Sequence, residues 1–214
     1  MQITWYGHSC FLIKTSIGRR ILIDPFNNNL GYDNNFPKCD LVTISHSHFD
    51  SSYLNDSNGE TKVINETGKI HMDFLEIEGL NSFHDNYNGL KRGPNIIYIF
   101  RGDKYSLCHL GNLGNIPCSL VLEKLNNIDI LLAPIGGHFT LDGLDAAKLC
   151  KLISPKYIIP MHYKTNKTSL YLDDPKNFIT SMKHLKKINS NILNPSDLNF
   201  NYKSECILLT PPCT

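Results

Sequence analysis

The sequence predicts an α/β fold in which mixed β-sheets carry helices on their outer faces. Two observations lead there: short extended runs crowd the first half, and strand and helix patterns alternate in the second. No repeat, low-complexity run or linker divides the 214 residues, so 1–214 read as one domain with one sizeable core.

Taken in order, Ile3–Tyr6, Cys10–Thr15 and Arg20–Ile23 are extended runs separated by turn residues, notably Gly7 and Gly18, as in a β-meander. The Asn-rich Asn27–Asn35 segment reads as a surface loop. Asp40–Ser45 is a further apolar strand that empties into a polar loop. Asn95–Arg101 and Tyr105–Leu110 form a hairpin about Gly102-Asp103, the turn chemistry tight hairpins prefer. Asp129–Ile135 is a buried strand. Asp142 then stands where a helix N-cap belongs, with Ala146, Leu149, Cys150 and Ile153 at helical spacing and Pro155 ending the run. Tyr157–Met161 is the next strand, and Pro175–Lys187 reads as a second amphipathic helix.

Composition narrows the functional classes. With 41% hydrophobic and 19% charged residues the chain reads as an ordinary globular protein, folding alone or as a homo-oligomer. Lys and Arg number 21 against 20 Asp and Glu, and like charges run no longer than Lys186-Lys187 or Asp173-Asp174, which argues against a nucleic-acid partner. No apolar stretch approaches the roughly 20 residues a membrane helix needs, and Met1–Tyr6 lacks the pattern of a secretory leader. The seven scattered cysteines, none paired at zinc-knuckle spacing, read as reduced thiols, so the expected location is cytoplasmic.

The segment that carries chemistry is Ser45-His46-Ser47-His48-Phe49-Asp50. In extended backbone, residues two apart project to one side, so His46, His48 and Asp50 can converge on a point. A catalytic zinc needs about three protein ligands and an open position, so a further ligand must come from a distant loop. His84, in Ser82-Phe83-His84-Asp85 at a strand end, supplies it. His109 and His162 also follow strands; taken singly such histidines are more often structural, and it is their recurrence that matters.

Together these segments resemble a known family. His46-x-His48-x-Asp50, preceded by Leu22-Ile23-Asp24-Pro25 and followed by His84, Gly111-Asn112 and Pro160-Met161-His162-Tyr163, is similar to the ordered motif set of metallo-β-lactamase-fold hydrolases. Gly7-His8-Ser9 and Pro134-Ile135-Gly136-Gly137 resemble the branch that includes ascorbate-6-phosphate lactonases and N-acylphosphatidylethanolamine phospholipase D. The resemblance implies a four-layer αββα sandwich. It makes His46, His48 and His84 ligands of a first metal, and Asp50 and His162 ligands of a second. It also makes Asp24 the carboxylate behind a metal-bound histidine, whose other ring nitrogen needs an acceptor.

The pattern breaks at the second site. Ser51 stands where the family carries another histidine, and Asn112 where it carries an aspartate between the metals. Two divalent ions about 3.5 Å apart repel by roughly 19 kcal/mol at an effective dielectric of about 20, which bridging anions must offset. One ion per chain is therefore the expectation, with Zn2+ the natural choice and other divalent metals compatible with imidazole. On this reading the chain hydrolyses a small-molecule ester, lactone or phosphodiester. Asp50 acts as base, Asn112 and His162 orient substrate or water, and His8, His138 and Tyr163 line the cleft mouth. The alternative is a degenerate member that keeps the fold without turnover, as a binding module.

Overall fold

The computed structural model describes residues 1–46, 61–200 and 204–212. The chain runs through β1 (Gln2–Gly7), β2 (Cys10–Lys14), β3 (Arg20–Ile23), β4 (Leu41–Thr43), β5 (Lys62–Ile64), β6 (Gly68–Met72), β7 (Leu75–Phe83) and β8 (Pro94–Gly102). It continues through β9 (Tyr105–His109), α1 (Ser119–Lys124), β10 (Ile130–Pro134), α2 (Gly143–Ile153), β11 (Tyr157–Met161), α3 (Lys176–Ser181), β12 (His184–Ile188), β13 (Ile192–Leu193) and β14 (Glu205–Leu209). Among the described residues these strands form two sheets. One has the order β13-β1-β2-β3-β4-β5, the other β12-β14-β11-β10-β9-β8-β7-β6.

Residue alternation explains why the first sheet is buried on both sides. Phe11, Ile13, Ile21, Ile23 and Leu41 turn to one face and join the main core, while Cys10, Leu12, Leu22 and Val42 turn to the other and form a second cluster. The main core also takes Ile97, Ile99 and Phe100 from β8 and Leu131 from β10, so the two sheets share it. Helix α2 adds Ala146, Leu149, Cys150 and Ile153 to that core. Its cap is as the sequence predicts: Asp142 Oδ1 accepts from the amides of Leu144 and Asp145 at 2.9 and 2.8 Å. Ser154 closes it in the left-handed region, just before Pro155. The β8–β9 turn is also as expected, with Asp103 and Lys104 both at positive φ, the requirement of a type I′ hairpin.

Two expectations are corrected. The Asn27–Asn35 segment is not simply a surface loop: it sends Leu30 and Tyr32 into the second cluster, because the apolar outer face of the first sheet needs a cover. The helix expected over Pro175–Lys187 ends at Ser181; Met182 turns extended and His184–Ile188 becomes an edge strand parallel to β14. Pairing of Leu185 with Cys206 and of Lys187 with Leu208 outweighs helical spacing there. The exposed lysines of β12 are the charges that edge strands commonly carry.

The directions of the strands decide where the chemistry lies. β3 and β4 run parallel, as do β9, β10, β11, β14 and β12. β1 is two antiparallel steps from β3, and β7 two from β9, so each shares its partner's direction. Within each sheet, the loops leaving these strands therefore emerge at the carboxyl-end rim, the usual place for ligands in open α/β sheets.

Candidate metal centre

Five of the strands that reach the rim are followed by an abrupt turn. His8 after β1, Asp24 after β3, Gly111 after β9 and His162 after β11 have φ between 47° and 61°, and His138, beyond β10, has φ 52°. For a residue other than glycine this conformation costs of order 1–3 kcal/mol, so the surroundings must hold it. They do: the Asp24 amide donates to Thr43 O at 2.9 Å, and the His162 amide to His8 O at 3.1 Å. The same His8 carbonyl accepts from Trp5 Nε1 at 3.1 Å. Gly111 has no such option, because a Cβ there would run into Asn95 Oδ1 and Ser45.

A buried hydrogen-bond chain then fixes the first histidine. Asp24 Oδ1 accepts from the Ser45 amide at 2.7 Å, and Asp24 Oδ2 accepts from Ser45 Oγ at 2.5 Å. That contact uses the only hydroxyl hydrogen, so in the 2.7 Å contact between Ser45 Oγ and His46 Nδ1 the imidazole donates. His46 Nε2 therefore carries the lone pair, and Asn112 Nδ2 donates to it at 2.8 Å. Asn112 cannot flip freely, since its Oδ1 accepts from Ser9 Oγ at 2.8 Å. Its backbone amide donates to Asn95 Oδ1 at 2.8 Å, and Asn95 Nδ2 is in turn held by Ser82 Oγ and Leu110 O.

Asp24 thus reaches His46 through Ser45; its Oδ2 is 3.9 Å from His46 Nδ1, too far for a hydrogen bond. His109 is part of the same scaffold. The Gly111 amide donates to its Nδ1 at 3.0 Å, so its Nε2 is the nitrogen that donates to Ser9 O at 2.8 Å. Burial pushes the His109 pKa down, with Asp24 opposing, which favours the neutral ring this pattern requires.

His84 leaves β7 with its amide on Gly93 O, and the Gly114 amide donates to Phe83 O at 3.0 Å. Gly114 lies so close that a Cβ would overlap the His84 carbonyl. The His46 and His84 rings stand 5.1 Å apart between centroids at an interplanar angle of 79°. Two imidazoles on one tetrahedral ion at about 2.1 Å have centroids roughly 5 Å apart, so the spacing and donor type of this pair match those of a divalent metal site. The tautomer of His46 fits as well, since its second nitrogen already has the acceptor that metal-bound imidazoles generally require.

The remaining predicted residues fall in three groups. His48 and Asp50, with Ser51, lie outside the described residues. His162 and His8 are buried with their rings in tilted contact, centroids 4.1 Å apart, and among the described residues no three His, Cys, Asp or Glu side chains are grouped to hold an ion. Tyr163, expected at the cleft mouth, is instead buried in the main core against Trp5, ring centroids 5.5 Å apart. His138 does line a cleft beside His84, of about 230 Å3, together with Lys91, Arg92, Phe139 and Thr140. Sequence reasoning missed Ser45, Ser9, Asn95 and the loop that starts at Asp85. Only the last carried a local signal, an aspartate opening an Asn/Gly-rich turn.

Comparison with known proteins adds an independent line. Residues 2–162 match the family model of the β-lactamase superfamily domain. A UPF0173 metal-dependent hydrolase of Thermoplasma acidophilum is 31% identical over 206 residues, covering 83% of this chain and 89% of that protein. A UPF0173 protein of Pyrococcus abyssi is 33% identical over 188 residues, covering 77% and 84%. Among solved structures, a Thermotoga maritima protein assigned to the Zn-dependent hydrolases of the metallo-β-lactamase superfamily superposes with a TM-score of 0.76. It is 30% identical and covers 98% of this chain and 99% of that one.

Proposed function

This chain belongs to the metallo-β-lactamase superfamily, within the UPF0173 metal-dependent hydrolases, and we propose that it hydrolyses a small ester, lactone or phosphodiester at a site for one divalent ion. The observation that carries the reading is the pair of imidazoles, His46 and His84, 5.1 Å apart, with the first locked by Ser45 and Asp24. His48 is the third ligand in this proposal. A bound zinc-like ion supplies Lewis acidity and lowers the pKa of water to about 7.

The chain's own residues supply the rest. The Asp24–Ser45 pair keeps the proton of His46 on Nδ1. Ser9 holds the Asn112 amide so that its N–H groups, not its oxygen, face the His46 side, where a developing oxyanion can accept from them. Asp50 takes the proton from the attacking water, and His162, backed by His8, orients the substrate. The neutral amide at Asn112 favours one ion over two, because it removes an anion that would bridge them.

One observation favours a second reading, a binding protein without turnover: Asn112 Nδ2 lies 2.8 Å from His46 Nε2, on the nitrogen a metal would need. Elemental analysis of protein purified without chelators, before and after zinc loading, separates the two. The proposal expects about one ion per chain and turnover on a panel of esters, lactones and phosphodiesters that disappears in His84→Ala with the circular dichroism intact. No ion after loading selects the second reading, and two ions would overturn the single-metal assignment.

A further inference from the structure

The loop between β7 and β8 is built around one side chain. Asp85 Oδ1 accepts from the amides of Tyr87 and Gly89 at 2.8 and 2.9 Å, and Oδ2 from those of Lys91 and Arg92 at 2.9 and 2.7 Å. The carboxyl is held below the usual range: desolvation works against ionisation, and the four amides outweigh it. Its charge is spent on the backbone, and two of its four contacts fix the residues from which the Lys91 and Arg92 side chains leave.

Both cations border the cleft beside His84. Arg92 crosses to the opposite wall, donating from Nη2 to His138 O at 3.2 Å and lying 4.5 Å above the Phe139 ring centroid. The Lys91 ammonium sits 3.6 Å from the Tyr87 ring centroid, and among the described residues no carboxylate pairs with it. The Tyr87 face orients the Lys91 ammonium without neutralising it. His138, also on the wall, is tied to Asp173 at 3.1 Å and meets the exposed Tyr171 ring at a tilt, centroids 4.4 Å apart. A polar cleft with two oriented cations and an aromatic margin suits an oxyanion on an organic substrate.

We propose that this cleft is an oxyanion subsite, so that the substrate carries a phosphate or carboxylate group close to the bond that is cut. The assignment of a substrate rests on the hydrolase reading; the anion site itself does not. It selects among the substrate classes above, favouring charged esters and phosphodiesters over neutral lactones.

The test is a titration of the full-length protein, as purified, with sodium phosphate and with sodium acetate, against sodium chloride at matched ionic strength. It follows the backbone amide resonances of residues 85–93 and 138–140. Saturable shifts at Lys91, Arg92 and His138 are expected with phosphate or acetate and not with chloride; the tighter of the two names the anionic group. Lys91→Gln should weaken binding about fivefold, the loss of one charge contact near the surface, and Lys91→Glu should remove saturation. Both keep the Lys91 amide that Asp85 needs, and unshifted Tyr87 and Gly89 amides in the free variants verify the loop. No saturable shift, or the same affinity in Lys91→Glu, overturns the subsite. Turnover of neutral esters alongside that result would leave the hydrolase standing. Lys91-dependent anion binding in a chain that cleaves nothing on the panel would support the subsite and count against the hydrolase.

Discussion

Replacing Ser45 by alanine tests the innermost joint of the proposed centre. Ser45 Oγ is at once the donor to Asp24 Oδ2 and the acceptor for His46 Nδ1, and the three residues are 1%, 1% and 4% exposed. Deleting the hydroxyl removes a hydrogen bond to a carboxylate, about 1.5–3 kcal/mol, and strands a buried imidazole N–H, about 1–3 kcal/mol. The ring cannot escape by moving its proton to Nε2, because it would then point a donor at Asn112 Nδ2, which Ser9 holds from the other side. The Ser45 amide remains on Asp24 Oδ1 and limits the damage. A net loss of about 3 kcal/mol follows, which for a chain of this size lowers Tm by about 6–12 °C. Zinc affinity should fall about 10–100-fold, the usual effect of removing a partner behind a metal-bound histidine. Thermal melting followed by circular dichroism, and competition for zinc against a chromophoric chelator, read the two quantities. A Tm within about 2 °C of the parent with unchanged zinc affinity would refute the Asp24–Ser45–His46 chain.

Four other perturbations follow from the same geometry. Restoring the family pattern with Ser51→His and Asn112→Asp should raise the zinc stoichiometry from about one to about two per chain by elemental analysis; an unchanged ratio would remove both positions from the second site. Gly114→Ala, which alters no ligand atom, should destabilise by about 1–3 kcal/mol in urea melts and weaken zinc binding, because its Cβ overlaps the His84 carbonyl. Asp85→Asn should expose one of the two amide pairs, Tyr87 with Gly89 or Lys91 with Arg92, to hydrogen exchange, since an amide side chain cannot accept on both of its atoms. The folded pKa of Asp85 is depressed, so its contribution is complete well above the unfolded value of about 3.9 and is lost as pH falls through the lower folded value. Exchange protection in 87–92 should accordingly persist at pH 6 and fade below about pH 4, and a loop insensitive to acid would contradict the four-amide arrangement.

The fold was most legible where local chemistry and tertiary packing agree. Asp142, the helical spacing to Ile153 and Pro155 mark α2 because each acts within a turn of its neighbours. The same holds for the hairpin at Gly102-Asp103. Where a partner distant in sequence decides, the pattern misleads. His184–Ile188 contains a helix-compatible mixture of lysines and aliphatics, and only β14, some twenty residues on, makes it a strand. Likewise nothing near Leu30 or Tyr32 announces that the second face of the first sheet is apolar; that follows only once Cys10, Leu12, Leu22 and Val42 are seen to share it.

The candidate site divides along the same line, with a further physical reason. Its imidazoles were legible because metal chemistry admits few donor types, so His46 and His84 stand out at strand ends without any knowledge of their neighbours. The residues that set their orientation are serines and asparagines, whose side chains serve equally well in turns, caps and solvent. Ser45 and Asp24 lie 21 positions apart, and Ser9 and Asn112 lie 103 apart. No spacing rule connects such pairs; sheet register does, by bringing β3 beside β4 and fixing which atom of each residue faces the rim. A change at a histidine removes a donor outright. A change at Ser9 or Ser45 leaves every donor in place and weakens what holds the His46 proton on Nδ1, so the two kinds of variant should differ in how strongly metal binding depends on pH.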